Sequence, residues 1–325
     1  MNLVVYILIN YSYQHIDPLV QINPIIVRIF NYTNFGTFAF ITSYLAFYYQ
    51  DIVIEVEAKL EREHQKTNAA LIERSTILTQ LNEELSDAAG YVKDIIPEPI
   101  TSGPILVSWK FIPSASLGGD VIGYHWIDDD NFAFYLMDVS GHGVGASLLA
   151  VSVLNSVRMQ SLSGVDFRIP SEVLGALNRS YPSEKHNTMF FTMWYGVYNI
   201  NSRELLYSTA GHPPAFFFAD MNTEDTEIRE LRTPNIVVGA IPDAVFKQES
   251  EIINKDTVLL IYSDGVFEFQ KENGEMWSFK EFKDTSCKLI NMDNDNLDKL
   301  LNYAKDLKKD ELFDDDYTIL LLTFR

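Results

Sequence analysis

From Asp51 to Ile96 the chain carries no proline and a single glycine, Gly90, and Pro97 and Pro99 then follow almost at once. Proline lacks the N–H that a helix interior needs and pushes the residue before it out of the helical region. A long helix is therefore expected up to residue 96, and a different architecture after it. One heptad register places Glu57, His64, Leu71, Leu78, Leu85 and Val92 at one seam position. It places Val53, Leu60, Thr67, Arg74, Leu81, Ala88 and Ile95 at the other, so that nine of the thirteen are apolar. The stretch Leu71 to Ile95 is interrupted only by Arg74, and this spacing predicts a parallel coiled coil over 51–96 and hence a homodimer. A single amphipathic helix packed on its own domain would show a similar pattern.

Upstream lies residues 1–50, an N-terminal hydrophobic region. The 22 residues from Ile29 to Gln50 hold no formal charge, and Gly36 to Tyr49 is nearly all apolar or aromatic. A bilayer core asks for roughly 20 predominantly apolar residues, so this run is a candidate transmembrane segment and the chain a candidate for attachment to the inner membrane. Asn31, Tyr32, Thr33, Asn34, Thr42 and Ser43 dilute it. The alternative is a buried or surface helix of a sensor region. Met1 to Ile9 is apolar but far too short to span, and the positive start of a signal peptide is missing.

Beyond Pro99 the pattern becomes strand-rich. Strands are expected at Ile105 to Ile112, Val121 to Ile127, Phe132 to Val139, Met189 to Ile200, Glu204 to Thr209, Ala215 to Phe218, Phe246 to Ile253, Thr257 to Tyr262 and Tyr317 to Phe324. Helices are expected at Gly143 to Leu162, Ser171 to Tyr181, Ser278 to Ile290 and Asn296 to Lys308. Short turns such as Asp128-Asp129-Asp130-Asn131 join neighbouring strands, so residues 97–325 read as an α+β domain with a mostly antiparallel sheet and helices outside it.

Charge excludes one class of partner. With 45 acidic against 25 basic residues the net charge is -20, which repels phosphate backbones, so no nucleic acid is expected. One cysteine, Cys287, allows neither an internal disulfide nor a zinc site, and this fits a cytoplasmic catalytic domain.

Acidic residues recur where strands begin or end. Asp120 follows Gly118-Gly119, Asp138 leads into Val139-Ser140-Gly141-His142-Gly143, Asp264 precedes Gly265, and Asp314-Asp315-Asp316 precedes the last strand. Converging carboxylates repel one another unless a cation lies among them, and an all-oxygen donor set favours Mg2+ or Mn2+. Two such ions can activate a water toward phosphorus without any protein nucleophile. Taken singly, each feature has a plainer reading: Asp264-Gly265 as a turn, the aspartate triple as a solvated cap. The run Gly141 to Gly145 lacks the Lys-Ser/Thr of a P-loop. His212, in Gly211-His212-Pro213-Pro214, reads as structural because no nucleophile lies near it in sequence.

Taken together, these motifs resemble the metal-dependent protein phosphatases of the 2C-like superfamily, in particular their bacterial sporulation and stress-response branch. The matching stretches are Phe111 to Ser114 with Leu117 to Asp120, Asp138 to Gly143, Thr209 to Pro214, Tyr262 to Val266, and Asp315 to Thr318. The resemblance covers about residues 90 to 325. It implies two antiparallel β-sheets sandwiched between helices, and Asp120, Asp138, Asp264 and Asp315 as ligands of two divalent metal ions, with the Val139 carbonyl as a further ligand. It also implies hydrolysis of phosphoserine or phosphothreonine on a regulatory protein, such as an anti-sigma-factor antagonist, and a regulatory role for the helix before the domain. Asp316 ranks behind Asp315, and His142, four residues past Asp138, leaves its role open. No arginine lies between Arg74 and Asp120 to grip phosphate, although Lys110 is available. A catalytically inactive binding module and a hydrolase of a small phosphorylated molecule are the alternatives. No Gly/Asn pattern for ATP follows the helix, which speaks against a histidine kinase.

Overall fold

The computed structural model describes residues 11, 23–115, 117–219, 228–290, 296–308 and 313–325. The apolar stretch Met1 to Ile9 lies outside them. The chain divides into two units, Met1–Thr79 and Gln80–Arg325.

A single helix, α1 (Pro24–Ile95), runs through both of the expected N-terminal segments without a break at residue 50. It opens with a proline, whose missing N–H costs nothing in a first turn, and meets no other until Pro97. None of its residues is buried. The expected membrane span is corrected: among the described residues no helix is long and apolar enough to cross a membrane. The cause is the polar content of Ile29 to Gln50. Thr33, Thr37 and Thr42 turn their hydroxyls back onto the carbonyls of Ile29, Thr33 and Phe38, which satisfies them within the helix but does not make the run apolar.

Within Gln80–Arg325 the end of α1 is fixed firmly. Ile96 is buried among apolar residues of two sheets. Trp109 Nε1 donates to the Pro97 carbonyl at 2.9 Å, and the Tyr124 hydroxyl lies within hydrogen-bonding reach of the Pro97 and Glu98 carbonyls at 2.9 and 2.6 Å. Arg158 reaches the Ile95 carbonyl at 3.3 Å.

Ten strands then form two five-stranded antiparallel sheets. The first has β1 (Ile105–Ile112), β10 (Tyr317–Phe324), β9 (Thr257–Tyr262), β6 (Ala215–Phe218) and β7 (Ile228–Leu231) in that order. The second has β2 (Val121–Trp126), β3 (Asn131–Val139), β4 (Phe191–Asn199), β5 (Glu204–Ala210) and β8 (Glu249–Ile252). Phe132, Phe134, Leu136 and Trp194 of the second sheet pack with Leu259, Ile261, Leu320 and Leu322 of the first. The alternate residues Tyr135, Met137, Met193 and Tyr195 pack under α2 (Val144–Arg158) and α3 (Pro170–Ser180). The outer face of the first sheet packs under α4 (Phe279–Leu289) and α5 (Asn296–Lys308). A strand covered on both faces reads as a continuous apolar run, which is why Phe132 to Met137 is apolar but for the Tyr135 hydroxyl.

The period-two alternation also places the acidic residues. Asp138 continues the parity of Phe134 and Leu136, Asp120 that of Ile122, and Asp316 that of Leu320, so each inward-facing row ends in an aspartate at one end of the sandwich. Strand β7 escapes the sequence pattern because it is four residues long and exposes Arg229 and Glu230.

Candidate active site

At that end lies a cavity of about 320 Å³. Its acidic wall is Asp138 at the end of β3, Asp264 in a short 3-10 turn after β9, and Asp314 and Asp315 before β10. Val139, Ser114, Ser140, Gly141, His142, Thr192 and Phe190 complete the lining. Asp120 lies just beneath, 2% exposed, with one carboxylate oxygen, Oδ2, that has no hydrogen-bond partner. Of the four aspartates singled out from the sequence, Asp138, Asp264 and Asp315 line the cavity and Asp120 lies close to Asp138, and no lysine or arginine is among the described lining residues. Lys110 does not serve the cavity: it forms an ion pair with Asp298 on α5 at 2.7 Å.

The aspartates carry the strain of this arrangement. Burial, followed by the neighbouring Asp138 and Asp316 carboxylates, pushes Asp120 well above the ordinary carboxylate range. Burial and then Asp264 and Asp315 raise Asp138 to about 7. Asp264 is raised by burial and then by Asp315 and Glu268. Three mutually repelling acids with no cationic side chain among them have the character of a cation site.

Asp316 behaves differently. Its Oδ1 accepts the Ser114 N–H at 2.8 Å and the Ser114 hydroxyl at 3.0 Å, and its Oδ2 accepts the N–H of Gly119 at 2.7 Å and of Asp120 at 3.2 Å. It is therefore the clamp that ties Ser114, just after β1, and Gly119 and Asp120, just before β2, to the residue that leads into β10. Both glycines around it are required sterically: a Cβ at Gly118 would run into the Asp316 carboxylate, and one at Gly265 into its carbonyl. Gly119 in turn lets the backbone come close to the Val139 carbonyl, 2.9 Å from where a Cβ would lie. Asp315 remains turned to the cavity, its carboxylate accepting the Asp316 N–H at 2.8 Å. Asp314 is held by Lys308 at 2.8 Å.

Gly141 and Gly143, with φ of 93° and 88°, carry the loop from β3 into α2 through the left-handed region that side chains avoid. His142 between them is exposed on the cavity rim. Thr192 and Phe190 were not foreseen. Thr192 had a signal, since it stands directly opposite Asp138 in the β3–β4 register, but that register cannot be read without the pairing.

Among the described residues no three His, Cys, Asp or Glu side chains gather closely enough to hold one metal ion by themselves. Hard ions such as magnesium keep several waters and take one or two carboxylates each. The orphaned Asp120 oxygen, the all-oxygen donor set and the raised acids fit that kind of occupant.

Comparison with known proteins agrees. The model of the stage II sporulation protein E (SpoIIE) family matches residues 128–325, and the chain belongs to that family. The chain is 30% identical over 164 residues to the phosphoserine phosphatase RsbU of Bacillus subtilis, a match covering 50% of this chain and 47% of RsbU. It is 27% identical over 186 residues to the phosphoserine phosphatase RsbP of the same organism, covering 57% of this chain and 45% of RsbP. The matched part thus spans about half the length of these curated relatives. Among solved structures, the SiaA-PP2C domain of Pseudomonas aeruginosa superposes with a TM-score of 0.64 at 18% identity, over 76% of this chain and 98% of that domain, and shares the fold.

Because Asp316 accepts four hydrogen bonds in a buried position, Asp316→Asn should lower the unfolding free energy by about 2–3 kcal/mol, as one carboxylate oxygen becomes an N–H2 facing N–H donors. Asp315→Asn should cost far less. Urea denaturation of both variants in chelator measures this, and equal effects would contradict the clamp.

Proposed function

We propose that the chain is a serine/threonine protein phosphatase that uses two divalent metal ions, Mg2+ or Mn2+, to hydrolyse phosphoserine or phosphothreonine on a regulatory protein. The observation that carries this reading is a cavity lined by Asp138, Asp264 and Asp315 with no cationic side chain. Such a wall repels a phosphate dianion until cations have bound. Asp120, Asp138, Asp264 and Asp315, with the Val139 carbonyl, are the groups that would hold them. Bound ions would supply the positive charge that receives the phosphate and lower the pKa of a water that can act as nucleophile.

The residues of the chain have separate tasks. The raised acids lose their mutual repulsion when cations bind, so the site is poised to bind them. Asp316 keeps Ser114, Gly119 and Asp120 in place beside Asp315. His142 is exposed on the rim of the cavity. The names of RsbU and RsbP favour phosphoserine, and the resemblance favours an anti-sigma-factor antagonist as the protein that bears it.

Asp138→Asn and Asp264→Asn should each lower phosphate release from a phosphorylated antagonist protein by about a hundredfold or more, and chelator should abolish release by the wild type. In chelator Asp138→Asn should be at least as stable as the wild type near neutral pH. Its carboxyl is raised to about 7 in the fold, so ionisation disfavours the folded state and is removed by the substitution. Activity undiminished by chelator, or by either substitution, would contradict the reading.

We also propose that α1 pairs with its counterpart in a second copy through the seam from Leu71 to Ile95. Leu71, Leu78 and Leu81 are 58%, 49% and 49% exposed, which is a large apolar stripe for a lone helix to leave in water. The anchorage of Ile95 to Glu98 would carry a twist of such a pair into the domain. Sedimentation equilibrium should show a dimer of the full chain, and Leu78→Asp with Leu85→Asp a monomer. A monomeric wild type at tens of micromolar would sink the proposal.

A further inference from the structure

One side of the cavity mouth is bordered by apolar residues that the mechanism above does not use. Phe190, which lines the cavity, is 40% exposed, and Val144 and Leu148 on the first turns of α2 are 49% and 65% exposed. Val144 follows directly on Gly141, His142 and Gly143, of which the first two line the cavity. Leu148 lies one helical turn further, about 6 Å along the axis. Met189 lies over the same turn, its methyl 3.8 Å from where a side chain at Gly145 would begin. The backbone of Phe190 is fixed to the loop before α2: its carbonyl accepts the Ser140 N–H at 2.9 Å, and its N–H donates to Ser140 Oγ at 3.0 Å. Phe190, Met189, Val144 and Leu148 thus form an apolar lip on a fixed frame.

We propose that this lip is a docking surface for the protein substrate and takes a large apolar side chain that stands within about three residues of the phosphoserine. This rests on the reading of the cavity as the site of phosphoester hydrolysis. Phe190 belongs to both the cavity and the lip, so a polypeptide that delivers a phosphate into the one lies against the other. An extended chain advances about 3.3 Å per residue, and two residues of it cover the turn from Val144 to Leu148. Apolar residues exposed singly are ordinary on a protein surface, whereas a group of them beside a site marks a place of contact. The exposed positions further along α2, Ser152, Asn155 and Arg158, are polar, so the apolar part of that surface is confined to the end next to the cavity.

Charge selects the same kind of partner. Asp314 and Asp315 line the cavity and are exposed, and Glu268, close to Asp264, is exposed as well. No lysine or arginine is among the described lining residues. An acidic neighbour of the phosphoserine would be repelled by these carboxylates. An apolar neighbour instead removes its own surface, and that of Val144 and Leu148, from water. Most of the lip lies outside the cavity, where a small phosphorylated molecule does not reach, so its contribution is to the choice among proteins.

Two synthetic phosphoserine peptides test this on the Mg2+-loaded full chain, one with leucine at the second and third residues on either side of the phosphoserine, the other with serine in their place. The wild type should hydrolyse the leucine peptide with a kcat/KM about tenfold or more above that of the serine peptide. In the double variant Val144→Ser, Leu148→Ser that ratio should fall to no more than about twofold. Equal kcat/KM for the two peptides in the wild type, or a ratio that the double variant keeps, overturns the proposal. A double variant that keeps the ratio and loses self-association in sedimentation would give the lip to a second copy of the chain instead. Should the double variant fail to fold, the wild-type ratio still decides. Where neither peptide is turned over, the dissociation constants of the two peptides, labelled with fluorescein, judge the lip by the same margin. If p-nitrophenyl phosphate is then untouched as well, the reading of the activity has fallen separately.

Discussion

Five aspartates cannot share one end of a β-sandwich as anions unless something holds their charge, and the chain answers this in two ways. Asp316 is given protein donors: four hydrogen bonds from Ser114, Gly119 and Asp120. The others are not. Asp120 keeps an oxygen with no partner, and Asp138 and Asp264 are raised by burial and by one another's neighbours. The satisfied carboxylate holds Ser114, Gly119 and Asp120 together, and the others are the ones proposed to hold cations. A folded domain tolerates such a cluster because the surrounding sandwich, with its three layers of apolar packing, supplies the stability that the site withholds.

The sandwich also explains why these residues meet at all. Strands alternate their side chains, and in both sheets the inward-facing row is apolar along its length and changes to Asp, Ser or Thr at the same end. Asp138 and Thr192 are neighbours because β3 pairs with β4. Asp120 and Asp316 are neighbours because two sheets close on each other there, across nearly two hundred residues of sequence. Glycines at 118, 119 and 265 allow that closure at positions where a methyl group would strike the opposing backbone or carboxylate.

Much of this was legible in the sequence for physical reasons. Period-two and buried apolar runs marked nearly every strand within a residue or two, and Pro97 with Pro99 marked the end of α1. Aspartates beside glycines at strand ends marked the cavity. What could not be read depended on long-range pairing: the donors that occupy Asp316, the ion pair that takes Lys110 to Asp298, and the register that puts Thr192 opposite Asp138. The stretch Ile29 to Gln50 lacks charge as a membrane span does, but its hydroxyl and amide groups leave it too polar for one. Strand β7 was missed because its two exposed central residues, Arg229 and Glu230, break the apolar alternation.

The central claim is that this acidic cavity receives phosphate only through cations. Calorimetric titration of inorganic phosphate into the wild-type chain, once in excess chelator and once saturated with Mg2+, tests it most directly. The account predicts no measurable binding without the metal and saturable binding at a single site with it. Binding of phosphate in chelator with undiminished affinity would contradict it.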